Sequence, residues 1–310
     1  MNQYLPEGAL MLTEKNHEYV SSRTGLERAL EEGAIIEAPA ILCDHAFNLH
    51  VELGAGIRGI IPRDEVAEAR LGESVKDIAI LTRVGKTVCF KVVGFENIGT
   101  ERIARLSRRL AQRECSDYYV STLTPGDIIR AKITHLESFG AFVDIGCGIT
   151  SLLSIDSISV SRIAHPSARL SVSDFIYTVV KSIDDSGRIY VSERELLGTW
   201  EENAALFSEG ETVRGIIRSV ESYGVFVELT PNLAGLAEYR EDVAAGEVAA
   251  VYIKSIIPEK MKIKLIIIDT EKKEVKAPAL EYFVDTDTVK HIDAWHYSPS
   301  GSGKKIESIF

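Results

Sequence analysis

Apolar and polar residues alternate in Ile129-Arg130-Ala131-Lys132-Ile133, so Ile129, Ala131 and Ile133 fall on one face and Arg130 and Lys132 on the other. A period of two belongs to a strand with one side in a core and the other in water. Glu137-Ser138-Phe139-Gly140 then reads as a turn, Ala141 to Ile145 as the next strand, and Gly146-Cys147-Gly148 as the break after it. Tyr177 to Lys181 and Arg188 to Ser192 give two more strands around the turn residues Asp184-Asp185-Ser186-Gly187. Four strands are thus read, and a set of five such short strands in roughly 70 residues suits a small closed barrel.

The same pattern recurs. Shifting the chain by 84 positions lays Gly126 to Ser154 over Gly210 to Glu238 without a gap. Identities fall at Gly126/Gly210, Arg130/Arg214, Ile133/Ile217, Glu137/Glu221, Ser138/Ser222, Gly140/Gly224, Phe142/Phe226, Val143/Val227 and Leu152/Leu236, and Phe139 faces Tyr223. A weaker third copy lies at an offset of 92, where Leu53-Gly54-Ala55-Gly56-Ile57 falls over Ile145 to Ile149 and Phe47 over Phe139. Its strand reads Phe47-Asn48-Leu49-His50-Val51, with Asn48 in the place of the glycine and His50 in that of the second aromatic. Internal repetition of this kind implies an array of like units.

Between the units the pattern turns helical. Thr199 stands three residues before Glu202, the spacing at which each side chain reaches the other's free backbone N–H, so a helix is expected over Trp200 to Phe207. Ser107 to Tyr119 is a comparable connector, and Thr24 to Glu32 a helix ahead of the first strand. The expected division is a segment 1–32 with a short helix, a degenerate first barrel 33–106, a helical linker 107–125, a second barrel 126–197, a helical linker 198–209, a third barrel 210–269 and an extension 270–310. In that extension Ala279 to Val284 and His291 to Tyr297 look like strands.

Composition narrows the chemistry. With 310 residues, 45% hydrophobic and 26% charged, the chain is an ordinary globular mixture, and its net charge of −11 repels polyanions as a whole. Nucleic-acid binding therefore has to come from local sites. Cys43, Cys89, Cys115 and Cys147 form no C-x-x-C pair, which argues against a zinc ribbon or a disulfide scaffold. The start at Met1-Asn2-Gln3-Tyr4 lacks the basic and apolar segments of a secretory signal, and no apolar run nears ~18 residues, so a cytoplasmic protein is expected.

At Ser138-Phe139-Gly140-Ala141-Phe142-Val143 the second unit resembles the RNA-binding motif named after bacterial ribosomal protein S-one, a five-stranded OB barrel. The third unit carries the signature as Tyr223-Gly224-Val225-Phe226-Val227, and the resemblance spans about Gly33 to Leu265. It implies a mainly β fold of three tandem five-stranded OB-type barrels joined by short helices, with an extra C-terminal β segment, similar to a short three-repeat relative of that small-subunit ribosomal protein. The family's RNA face uses two aromatics, a His fifteen positions after the first, and an Asp and an Arg four apart. These map to Phe139, Phe142, Ser154, Asp184 and Arg188, with Lys132 as a nearby cation. In the third unit they map to Tyr223, Phe226, Glu238 and Lys262, and in the first to Phe47, His50 and Pro62. Ser154 replaces the His and cannot stack, and Glu238 repels phosphate, so the second unit is expected to bind best and the first to serve docking.

Each feature has a plainer reading. An aromatic pair in a barrel is usually core, and the repeated Phe-Gly-Ala-Phe spacing is what argues otherwise. Arg188 alone is a solvated turn charge. The run Arg102, Arg105, Arg108, Arg109 and Arg113 is by default a solvated face, with Arg109 and Arg113 one helical turn apart as a possible extension of an RNA path. His291 and His296, like His45 and His50, are five apart and suit neither one strand face nor one helix face, so no metal site is expected, and nothing near Cys147 resembles a general base. No P-loop, Rossmann glycine pattern or metal-binding carboxylate cluster is present, so no cofactor, no small-molecule substrate and no catalysis are expected. Two functions remain: a single-stranded RNA (mRNA) binding protein working with the small ribosomal subunit, or a protein-interaction adaptor with degenerate barrels. The charge and the missing His favour the adaptor, the repeated aromatic pair the RNA binder.

Overall fold

The computed structural model describes residues 4–54, 56–68, 75–98, 101–272 and 280–310. Ala55 in the first repeat and Ala279 at the head of an expected strand lie outside them. Strands Ile36–Cys43 (β1), Leu49–Glu52 (β2), Arg58–Ile61 (β3), Thr87–Ile98 (β4) and Glu101–Ser107 (β5) close a first barrel in the order β1-β2-β3-β5-β4. The second consists of Ile128–Glu137 (β6), Gly140–Asp144 (β7), Thr150–Ser154 (β8), Phe175–Ile183 (β9) and Ile189–Ser192 (β10), ordered β10-β8-β7-β6-β9. The third consists of Thr212–Glu221 (β11), Gly224–Thr230 (β12), Leu233–Ala237 (β13), Val248–Ile257 (β14) and Lys262–Glu271 (β15), ordered β11-β12-β13-β15-β14. In each, the third and fifth strands pair in parallel. A separate two-stranded sheet joins Ala294–His296 (β16) to Glu307–Ile309 (β17).

The alternation in β6 does what its period requires: Ile129, Ala131 and Ile133 are buried, Arg130 is exposed and Lys132 half-buried. Local capping sets the helices. Ser22 accepts from Gly25 N–H at the start of Arg23–Glu32, and Ser107 accepts from Leu110 N–H at the start of Arg108–Tyr118. The reciprocal Thr199/Glu202 capping box is present, but the helix ends at Ala204, earlier than expected. Beyond it Leu206 N–H bonds to Asn203 O and Phe207 N–H to Ala204 O, tighter i to i−3 closures that end the α-helix.

The chain forms two compact units, Met1–Leu123 with Asp144–Thr150, and Thr124–Val143 with Ser151–Phe310. In the first, Arg108 is fully buried, and its Nε and Nη2 donate to Glu7 Oε1 at 2.7 Å and Oε2 at 3.1 Å. Burial alone would raise the Glu7 carboxyl, but the charges of Arg108 and Arg83 and the Cys89 N–H hold it below its ordinary value. Asp144 is instead pushed up to about 7 by burial and then by Glu7's charge. Arg108 therefore leaves the solvated face expected of the basic run, while Arg102, Arg105 and Arg113 stay exposed on it. Arg105 pairs with Glu96 at 2.9 Å, Arg109 with Glu65 and Arg113 with Glu68 at 2.7 Å, because the first barrel turns carboxylates toward the strand and helix that carry these arginines.

In the second unit, Arg169 from the loop after β8 enters the third barrel. It is buried and donates from Nη1 and Nη2 to Glu228 of β12 at 2.8 and 2.5 Å, while Arg218 of β11 donates to the same carboxylate at 2.7 and 2.9 Å. Asn232 accepts from Val160 N–H and donates to Arg194 O and Gly198 O. The C-terminal extension packs on both barrels of this unit. Trp295 and Tyr297 join the third barrel's core, and the Tyr282 hydroxyl accepts from Tyr177 N–H and donates to Glu193 at 2.9 Å. Burial pushes the Glu193 carboxyl up to about 8. Leu280 to Val284 is not a strand, since its groups bond to the second barrel one at a time, as in Phe283 N–H to Leu196 O. Of His291 to Tyr297, Ala294–His296 is strand and His291 forms an isolated bridge to Asp127.

Candidate nucleic-acid interface

The aromatic pair of the second barrel begins with a glycine. A Cβ on Gly140 would lie 2.4 Å from the carbonyl oxygen of Leu153, so only glycine lets β7 approach β8 this closely. Phe139 O accepts from Ile155 N–H at 2.9 Å on the other side of that approach. The chain turns sharply, and Phe139 and Phe142 meet edge to face with ring centroids 6.0 Å apart. Phe139 is 53% exposed and Phe142 half-buried, so one ring stands in water and the other braces it. The third barrel repeats the device: a Cβ on Gly224 would lie 2.6 Å from Ala237 O, and Tyr223 and Phe226 meet at 6.0 Å with Tyr223 68% exposed.

A residue that the sequence reading missed completes the surface. His135 of β6 is exposed and its ring stacks on Phe142 at 6.5 Å and 22°, its Nε2 lying 2.8 Å from Glu137 Oε1. The signal was hairpin register. A two-residue turn at Ser138-Phe139 puts position 135 opposite 142, as Ser219 stands opposite Phe226 in the third barrel.

The other predicted residues divide. Ser154 lies beside the pair, its Cα 2.9 Å from where a Gly140 Cβ would be, and its hydroxyl bonds to Ser157 at 2.9 Å. Asp184 does not pair with the Arg188 side chain. Its Oδ1 accepts from Ser186 N–H, Ser186 Oγ and Arg188 N–H, bonds that hold its carboxyl low and fix the turn. Arg188 is exposed at the end of that turn. The parallel pairing of Tyr190 with Leu152 carries it away from Ser154 by about 13 Å, four residues of strand. Lys132 turns toward Phe175, its Nζ 5.3 Å from the ring centroid. Glu238 and Lys262 are exposed, after β13 and at the start of β15.

The first barrel departs from this plan. Phe47 is not on the strand but in the turn before β2, with φ of 62°, because Asp44 gathers the N–H groups of Ala46 and Asn48 and the Asn48 amide. Its ring packs on the core, and the Arg63 guanidinium covers it at 4.9 Å. His50 is buried against Asp44 at 3.1 Å, and Pro62 leads into a short 3-10 turn. No exposed aromatic pair results. Among the described residues no group of three His, Cys, Asp or Glu is placed to hold a metal, and no helix is long and apolar enough to cross a membrane.

Residues 122–194, the second barrel with its approach, match the family described as S1 RNA binding domain. The second barrel is S1-like. The chain is 26% identical over 289 residues to small ribosomal subunit protein bS1 of Staphylococcus aureus, covering 91% of this chain and 71% of that protein. It is 28% identical over 240 residues to bS1 of Staphylococcus epidermidis, covering 76% and 58%. Among solved structures, a multidomain protein with nucleic acid binding domains from Streptococcus pneumoniae is 16% identical, covering 76% of this chain and 74% of that one, at a TM-score of 0.25. The chain thus resembles bS1, with its best S1-like face on the barrel that holds Phe139 and Phe142.

Proposed function

We propose that the protein binds single-stranded RNA, mRNA in particular, as part of the translation machinery at the small ribosomal subunit, in the cytoplasm and without catalysis, cofactor or small-molecule substrate. One observation supports this above the others: two barrels build the same glycine-supported aromatic pair, one ring exposed, at the same 6.0 Å separation, and a ring kept in water by a repeated turn design is of no use to a core. Bases stack on Phe139, His135 and Tyr223, with Phe142 and Phe226 behind them. Stacking is worth about 1–3 kcal/mol per base and tolerates any sequence. Ser154 offers a hydrogen bond to the same nucleotide, and Arg188, held by the Asp184 turn, reaches a neighbouring phosphate. Lys262 plays that part in the third barrel. The −11 charge is no obstacle when each site needs only one or two cations.

The covered Phe47 and the paired Arg105, Arg109 and Arg113 favour a second role for the first barrel alone, as a docking surface for protein. A fluorescence titration with short single-stranded RNA at two salt concentrations tests the main reading; the adaptor takes the lead if the parent protein does not bind. Arg188→Ala is expected to bind somewhat more weakly and to lower the salt slope by about 0.7, the value of one phosphate contact on a single strand. An unchanged slope would remove Arg188 from the site.

A further inference from the structure

A second aromatic surface lies on the second barrel, away from the Phe139/Phe142 turn. Phe175 opens β9 and stands directly opposite Lys132, with Arg130 opposite Tyr177 two residues along. The Arg130 guanidinium carbon lies 4.5 Å from the Phe175 ring centroid and the Lys132 ammonium 5.3 Å. Phe175 is 37% exposed and Arg130 is exposed, and among the described residues no carboxylate pairs with Arg130. The nearby Asp174 is occupied by the N–H of Ser171.

The barrel does not need this arrangement. At the same register in the third barrel, Ile216 stands opposite Val248 and Arg214 opposite Ala250. In the first, Ala38 stands opposite Val88. Among the described residues, only the barrel with the S1-like match adds an aromatic ring beneath two cations. In a chain of net charge −11, where Arg105, Arg109 and Arg113 are matched to carboxylates, a guanidinium layered on a ring and left open on its outer side is a surface for an anion with a flat base. Arginine planes and aromatic rings are the two supports on which unstacked RNA bases rest. The same strand leads there from the first surface: β6 carries His135 at one end and Arg130 five residues earlier, about 17 Å at a strand's rise.

We propose that Phe175 and Arg130, with Lys132 beside them, form a second subsite for single-stranded RNA, taking nucleotides that run along β6 beyond those stacked at Phe139 and His135. This rests on the RNA-binding reading and lengthens its footprint. An oligomer confined to the first surface does not feel the subsite, whereas a longer one does. The test titrates the full chain, Phe175→Ala and Arg130→Gln with oligouridine of about four and about ten nucleotides, sizes within the range of one OB fold. Phe175→Ala is expected to weaken the longer oligomer at least fivefold and the shorter less than twofold, and Arg130→Gln to do the same while lowering the salt slope for the longer oligomer alone. Should Phe175→Ala prove poorly folded by thermal unfolding, Arg130→Gln on its exposed strand face decides. Equal effects on both lengths, or none on either, overturn the subsite while leaving the Phe139 surface standing, and mark the patch as a protein contact. If the parent binds neither oligomer, the RNA reading itself fails.

Discussion

Glu228→Gln is expected to destabilise the second unit by about 3–5 kcal/mol at neutral pH. Glu228 accepts four N–H bonds from two arginines, and Arg169 is only 2% exposed, so the variant leaves a buried guanidinium with Ser159 Oγ and Pro231 O but no counter-charge. Burial alone would raise the Glu228 carboxyl, yet Arg218 and Arg169 hold it below the ordinary 4.5. A carboxylate lowered in the folded state contributes stability above its unfolded value and loses it as pH falls through the folded one. The gap between parent and variant is therefore widest at neutral pH and narrows below about 4.5. Denaturant titration followed by tryptophan fluorescence reads this directly, since the two tryptophans, Trp200 and Trp295, both lie in the second unit. A loss under about 1 kcal/mol would place the network with ordinary surface ion pairs.

Arg108→Met is expected to cost the first unit a similar 3–5 kcal/mol, or about 10 °C or more in its melting temperature. The guanidinium is fully buried between Glu7 and the carbonyl of Val66, and its loss removes the bidentate partner of Glu7 beside the buried acid Asp144, with Arg83 3.4 Å from Glu7. Adding Glu7→Gln to the same chain should recover part of the loss, because Gln keeps the acceptor for Cys89 N–H and removes the buried charge that Arg108 had paired. Circular dichroism on the single and double variants checks this. A double variant less stable than the single would show that Glu7 acts through packing and not through its charge.

What the sequence revealed and what it hid follow from the range of the interactions. The three barrels were legible because β6 and β11 carry a period of two and because the Gly140 and Gly224 turns repeat; both are local. His135 was missed because it meets Phe142 only once the length of the turn is fixed. Phe47 looked like a strand aromatic because nothing in its neighbours announces that Asp44 would fold three N–H donors under it. Arg108 read as a surface charge because its partner Glu7 lies 101 residues away. The extension past residue 280 had no readable role for the same reason, its Tyr282 answering to Glu193 across 89 residues.

The central claim is that an exposed aromatic pair, not a charged surface, holds the RNA. Phe139→Ala, which removes the ring that stands in water, tests it most directly: a titration with single-stranded RNA at two salt concentrations, with thermal unfolding of the same samples. The account predicts a loss of about 1–3 kcal/mol in binding whatever the base sequence, an unchanged salt slope, and a melting temperature close to the parent's. A variant that binds RNA as well as the parent, or one that melts far below it as removal of a core phenylalanine worth about 3–5 kcal/mol would cause, contradicts the stacking role.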